Sequence, residues 1–230
     1  QMCIRDRSRT VKMNQTIDLL TSHRSIRKFT DEPVDPDLFT RLVEAAQASA
    51  SSSFLQGVTI IRVTDPGKRV ALRDVAGGQA YVETAPEFLV FCADLSRPMR
   101  CCRQHGGTPA EGLTEQFVIA TVDAALYAQN LVIAAESAGL GICYIGALRN
   151  DPAKVTELLD LPKQVYPVFG LCLGHPAQDP EVKPRLPVSV TLKTDSYSTD
   201  GEDEAIAAYD EEMRTYYCLL YTSPSPRDTA

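Results

Sequence analysis

The sequence predicts an α+β fold in one principal domain, and three observations carry that prediction. Helix-like and strand-like segments alternate irregularly, without the regular rhythm of a parallel α/β sheet. The 230 residues are 44% hydrophobic and 23% charged, which supplies one substantial core and is an ordinary globular composition. The longest regular segment, 114–138, is apolar nearly all round, as a helix at the centre of a core or at a subunit interface must be.

Taken in order, Gln15 to Ser22 reads as a short helix with Ile17, Leu19 and Leu20 near one face. Asp35-Pro36 is an N-cap followed by proline at the first helical position. Leu38, Leu42, Val43 and Ala46 then make the apolar stripe of a helix ending near Ala50. Val58 to Thr64 is rich in β-branched residues and predicts a strand, and Pro66 opens a helix that ends at Gly77-Gly78. Glu87 to Ala93 predicts a second strand. From Ser96 to Gly112 proline, glycine, cysteine and scattered charge read as an exposed excursion, a place where substrate preference is set. The 114–138 helix follows, with Gly139 as its C-terminal cap. Gly141 to Gly146 predicts a buried strand, Asn150 with Pro152 a short helix, Val165 to Gly174 another strand, and Asp200 to Tyr217 a last helix with an acidic start.

Composition excludes several functions. A net charge of −7 and a pI near 5.0 do not suit a nucleic-acid partner, which needs a broad basic face. No apolar run is expected to span a membrane and no signal peptide is recognisable, so a cytoplasmic location is expected. The seven cysteines form no C-x-x-C pair and no metal-type spacing with the three histidines, so no metal site is expected. Cys92, Cys143 and Cys172 lie in apolar runs and read as reduced core residues. H-E-x-x-H, G-x-S-x-G, P-loop and dinucleotide-fold signatures are missing. Residues 1–7 and 218–230 lack any helical or strand period, resemble adapter-derived strings and are set apart as non-native tails around a domain at 8–217, whose own C-terminus is expected to be truncated.

Against that acidic background, His23-Arg24-Ser25-Ile26-Arg27 concentrates two guanidinium groups, an imidazole and a hydroxyl. Guanidinium groups match phosphate oxygens two at a time, so the cluster suits a phosphate monoester. Lys183-Pro184-Arg185 forms a second basic point beside Asp179 and Glu181. Two such points suggest one anionic ligand gripped from both sides; solvated basic turns are the plain alternative.

The run His23 to Phe29 with Thr30-Asp31-Glu32-Pro33, the row Ser51-Ser52-Ser53-Phe54-Leu55-Gln56, Gly77-Gly78-Gln79, Tyr144 to Asn150, and Lys183-Pro184-Arg185-Leu186-Pro187 together resemble the FMN-dependent nitroreductase family. The resemblance is strongest to its oxygen-insensitive NADPH nitroreductase and NADPH–flavin oxidoreductase group, and runs in order from about Ile17 to Tyr217. It implies a nitroreductase-like fold, a mostly antiparallel sheet wrapped by helices in an interlocked homodimer. It also implies FMN as cofactor, NADPH as electron donor, and a nitroaromatic, quinone or free flavin as acceptor in a ping-pong cycle with hydride transfer at flavin N5.

Residue by residue, the resemblance assigns Arg27, Lys183 and Arg185 to the FMN phosphate, with His23, Arg24 and Ser25 completing the cradle. Ser51, Ser52 and Ser53 contact the flavin, often from the neighbouring subunit. Gln79 offers a donor and an acceptor to the pyrimidine edge. Tyr144, Ile145, Gly146 and Ala147 bring backbone N–H groups to the edge where negative charge develops. Where the family more often has a second glycine this chain has Ala147, which would be strained if the position required positive φ. A packed histidine, a polar helix exit, a turn glutamine and a glycine turn after a strand are the plain readings of the same residues. No side chain is expected to act as nucleophile or general base. NADPH preference in the group depends on a segment beyond Tyr217, so weaker discrimination against NADH is expected. A flavin-binding module without turnover and a reductive dehalogenase of the same fold are the rival readings.

Overall fold

A computed structural model of the chain describes residues 14–222, with side chains described through Cys218. The tail 1–7 and most of the tail 218–230 therefore lie outside the described residues. The domain expected over 8–217 resolves into two compact units that part between Pro180 and Glu181, within the proline-rich passage.

In the first unit α1 (Gln15–Thr21) is capped by Asn14, whose side chain accepts from Ile17 N, and α2 (Pro36–Gln47) by Asp35, which accepts from Leu38 N at 2.8 Å. A one-turn 3₁₀ segment (Ser52–Phe54) leads into β1 (Val58–Arg62), and α3 (Pro66–Val75) starts at Asp65 as cap. The short α4 (Tyr81–Thr84) and β2 (Glu87–Asp94) follow, then α5 (Ser96–Gln104) and α6 (Thr114–Ser137). β3 (Gly141–Ile145), a 3₁₀ segment (Gly146–Asn150), α7 (Pro152–Leu158) and β4 (Val165–Gly174) complete the unit. The four strands form one antiparallel sheet in the order β1-β2-β4-β3, all eight residues of β2 being buried.

Period-2 alternation divides the side chains of the sheet between two cores. On one face α2 and α6 pack over Leu89, Phe91, Ile142, Leu171 and Leu173; on the other, α3, α4 and α7 enclose Phe88, Val90, Cys92, Cys143, Ile145 and Cys172. Burial pushes the Cys92 thiol up to about 12 and raises Cys143 and Cys172 as well, so all three are free, protonated core residues.

Several sequence expectations are corrected. The 96–112 excursion is half helix. Asp94, at the end of β2, accepts from Ser96 N, Ser96 Oγ and Arg97 N and so caps α5, and Met99 is buried beneath it. The α7 cap is Asp151, which accepts from Lys154 N at 2.9 Å, rather than Asn150. α6 is long and apolar enough to cross a membrane by length and composition, contrary to expectation, but its Ala120, Ala124, Ala128, Leu131, Val132 and Ala135 lie in the core over the sheet. It is also one-sided: Phe117, Val118, Val122 and Leu126 are exposed along it.

The second unit holds α8 (Val188–Thr191) and α9 (Glu202–Thr222), tied by an ion pair of 2.5 Å between Lys193 and Glu202. α9 is described five residues past Tyr217, through Thr222, whereas the sequence predicts a helix ending at Tyr217.

Candidate functional site

The basic segment lies along the outer edge of β3. Ser25 bridges Ile142 in parallel, and Ile26 N donates to Ile142 O at 2.8 Å. Gly141 makes that approach possible: a Cβ there would stand 2.6 Å from Ile26 Cγ1. Thr30 N then donates to His175 O and Ala177 N to Lys28 O, which hold the rest of the segment against the exit of β4. An edge that would otherwise be open to another chain is thus covered by a charged segment.

From this edge the side chains reach both faces of the sheet. His23, toward α6, donates through Nδ1 to Glu136 Oε1 at 2.5 Å, which leaves Nε2 for a ligand. Arg24 donates to Asp179 and to the carbonyl of Pro180, so it is engaged within the chain. Arg27 reaches the opposite face, where its charge acts on Cys143 and Tyr81. Among the described residues no carboxylate pairs with Arg27, Lys183 or Arg185; Lys183 Nζ lies 5.7 Å from the centre of the Tyr217 ring, within the second unit.

Gln79 joins Arg27 through a residue that sequence reading did not single out. Gly77 and Gly78, at φ 73° and 77°, turn the chain out of α3 and into Gln79. Tyr81 Oη then lies 2.8 Å from Gln79 Oε1. Burial raises the phenol's pKa, while the charge of Arg27 opposes that rise. The only signal for Tyr81 in the sequence is its position two residues after Gln79, too weak to separate it from other core tyrosines.

β3 delivers Tyr144 and the three residues after it to the same edge. The Tyr144 ring meets Phe169 edge-on at 5.3 Å, its hydroxyl approaches Gln129 Oε1 at 3.5 Å, and burial followed by the Glu136 charge raises its pKa. Ala147 is not among the positive-φ residues, so it carries no strain of the kind a second glycine would relieve. A Cβ on Gly146 would stand 3.1 Å from the Arg149 guanidinium.

The serine row stands elsewhere. Ser51 Oγ donates to Asp123 Oδ2 at 2.7 Å and accepts from Gln56 N at 2.7 Å, and Gly57 N donates to the same Asp123 oxygen at 2.9 Å. Ser53, Phe54 and Gln56 have φ of 50°, 54° and 52°, left-handed conformations that cost non-glycine residues about 1–3 kcal/mol each. Arg97 clamps the loop's far end, donating to Gln56 O, Val58 O and Thr59 Oγ1. Asp123 and Glu136, which hold the serine row and His23, are thirteen residues apart on α6, a rise of about 20 Å. One chain therefore gathers His23 to Arg27, Gln79 and Tyr144 to Ala147 at the β3 edge and carries Ser51 to Ser53 beside β1.

Residues 20–175 match the model of the nitroreductase family, and residues 183–227 that of the nitroreductase family C-terminal domain. The chain is 48% identical over 217 residues to an oxygen-insensitive NADPH nitroreductase of Salmonella typhimurium, covering 94% of this chain and 88% of that protein. It is 46% identical to an FMN reductase (NADPH) of Bacillus subtilis, over 89% of this chain and 84% of that protein. Among solved structures, the NADPH:FMN oxidoreductase of Vibrio harveyi complexed with NAD+ superposes with a TM-score of 0.84 at 47% identity, over 89% of this chain and 87% of that one. The chain belongs to the nitroreductase family.

Proposed function

We propose that the chain is an FMN-dependent NAD(P)H oxidoreductase that reduces nitroaromatics, quinones or free flavin. The observation that carries this reading is the Arg27–Tyr81–Gln79 group beside β3, which offers a guanidinium without a carboxylate partner and a side-chain amide to one ligand. The donor set fits FMN. His23, Arg24, Ser25, Arg27, Lys183 and Arg185 supply cationic or polar donors, and three of the four cations among them have no intramolecular carboxylate partner within the described residues. Gln79 and the backbone of Tyr144 to Ala147 face the ring system. A bound FMN supplies two-electron redox chemistry, accepting reducing equivalents from NADPH and passing them on. The chain's own part is to bind, orient and shield it, with no side chain assigned a proton-transfer role.

A homodimer completes the site. The distance between the serine row and the β3 edge supports the reading that Ser51, Ser52 and Ser53 serve the flavin of a second copy. The exposed apolar stripe Phe117, Val118, Val122 and Leu126 supplies the surface for that copy. A cytoplasmic setting accords with six free cysteines among the described residues.

The test is purification followed by anaerobic titration. A yellow protein whose colour bleaches on adding NADPH and returns on adding a nitrofuran supports the reading. A colourless protein that FMN does not reconstitute rejects it. The ratio of kcat/KM for NADPH and NADH then sets the donor preference.

A further inference from the structure

Tyr81 opens α4 and rests against the core on the Cys143 side of the sheet. Its backbone carbonyl accepts from Cys172 Sγ, so its place is fixed independently of its hydroxyl. The hydroxyl donates to Gln79 Oε1 at 2.8 Å, and the positive charge of the Arg27 guanidinium acts on it. The hydrogen bond runs from the phenol to the amide carbonyl, the direction a neighbouring guanidinium charge favours. Arginine only donates and cannot take the phenol's proton, whereas the Gln79 carbonyl can. The phenol's single proton goes to Gln79. Gln79 must then turn its carbonyl inward to Tyr81, leaving its NH2 as the outward end.

We propose that Tyr81 is a positioning residue that locks the Gln79 amide as a hydrogen-bond donor toward the flavin. The inference rests on the reading of the site given above, and it alters the sequence expectation at two residues: at Gln79, and at Arg27, which it sets beside the ring edge with Gln79 instead of at the phosphate. Gln79 had both a donor and an acceptor to offer the pyrimidine edge, but one lone pair of its carbonyl is committed to Tyr81. With Arg27 at the same junction, this corner presents donors, and the complementary ligand atom is an acceptor: a carbonyl oxygen or an unprotonated ring nitrogen that gains negative charge on reduction. Burial also keeps the phenol protonated through neutral pH, so the direction of the relay persists over the working range.

The lock matters because a side-chain amide is nearly symmetric in shape. Freed from Tyr81, Gln79 presents either end, and half of its orientations aim a carbonyl at an electron-rich edge. The phenol removes that choice before the ligand arrives, which is preorganisation of the kind that favours binding and charge stabilisation together.

The experiment strips FMN from holoenzyme of the wild type, Tyr81→Phe, Gln79→Ala, Gln79→Glu and the double variant Tyr81→Phe/Gln79→Ala, then titrates FMN back. It reads the dissociation constant, the visible spectrum of the bound flavin and its midpoint potential. Phe retains the packed ring, so Tyr81→Phe is expected to fold, to weaken FMN binding about five- to tenfold, to shift the bound-flavin spectrum and to lower the potential. In the Gln79→Ala background the same change is expected to add less than about twofold, because its route of action is gone. Gln79→Glu keeps an acceptor for Tyr81 but has no NH2, and is expected to lose as much affinity as Gln79→Ala. Tyr81→Phe matching wild type in affinity and spectrum while Gln79→Ala is impaired overturns the inference, as do fully additive losses or a Gln79→Glu variant that binds FMN normally. If Gln79→Ala itself binds FMN like wild type, the placement of Gln79 at the flavin is what fails, and the inference falls with it.

Discussion

Glu136, in the last turn of α6, holds His23 Nδ1 at 2.5 Å. A carboxylate near a helix C-terminus faces the negative end of the helix dipole and is disfavoured there by about 0.3–1 kcal/mol. Its presence is explained by what it holds. It sets the imidazole tautomer, Nδ1–H inward and Nε2 outward, at the start of the basic segment. Glu136→Gln, whose amide can present either an acceptor or a donor to Nδ1, is expected to weaken FMN affinity several-fold while shifting the melting temperature by only a few degrees. His23→Ala should show the same loss, and the two changes combined should cost little more than either alone. Fluorescence titration of apoprotein with FMN measures all three.

Asp123 holds the serine row with one oxygen. Removing it leaves Gly57 N–H buried without an acceptor and frees Ser51, so Asp123→Ala is expected to cost roughly 1–3 kcal/mol in urea unfolding. Ser51→Ala, which leaves Asp123 bonded to Gly57, should cost about 1 kcal/mol. Because Ser53, Phe54 and Gln56 sit in left-handed conformations, the loop is expected to relax once Asp123 lets go. Faster amide exchange at residues 51–57 checks that.

What could be read in the sequence was local. Asp35 and Asp65 cap helices through bonds to residues three positions on, so helix starts at Pro36 and Pro66 were visible in the pattern. The alternation that buries Phe88 and Val90 on one face and Leu89 and Phe91 on the other belongs to a strand on any reading. α5 escaped because its cap, Asp94, sits inside β2, and because Arg97 is held by β1 residues 38 and 39 positions away. The same distance hid the site's supports. Glu136 and Asp123 look like minor interruptions of an apolar helix, and only the fold brings them 113 and 72 residues back to His23 and Ser51. Resemblance marked the residues proposed to touch the flavin, whereas the residues holding them had no local signature.

Acid should loosen the loop clamp through Asp94. Burial alone would raise its pKa, but hydrogen bonds from Thr59 and Ser96, with the Arg97 N–H and charge, hold it below the ordinary carboxylate value. The folded state therefore binds this proton less readily than the unfolded chain. Its contribution to stability is complete above about pH 4 and drains away as the pH falls through the folded value. Asp94→Asn is expected to lower stability at pH 7 by about 1–3 kcal/mol and to show a smaller further loss between pH 5 and 3 than wild type does. Urea midpoints measured across that range test the sign.

The outer face of α6 predicts assembly. Val122 is half exposed and Leu126 is 40% exposed, one turn apart on a helix whose inner face is fully occupied by the core. Aliphatic side chains at that spacing form a continuous stripe, and an isolated chain would leave it in water. Leu126→Asp places a charge in the stripe without touching the residues buried against the sheet, so the folded chain should persist while the dimer does not. Sedimentation equilibrium is expected to show a dimer for wild type and a monomer for the variant. If the serine row serves the partner's flavin, the monomer should also lose FMN affinity by more than tenfold despite an intact β3 edge. A monomeric variant that keeps full affinity would instead assign a complete flavin site to one chain.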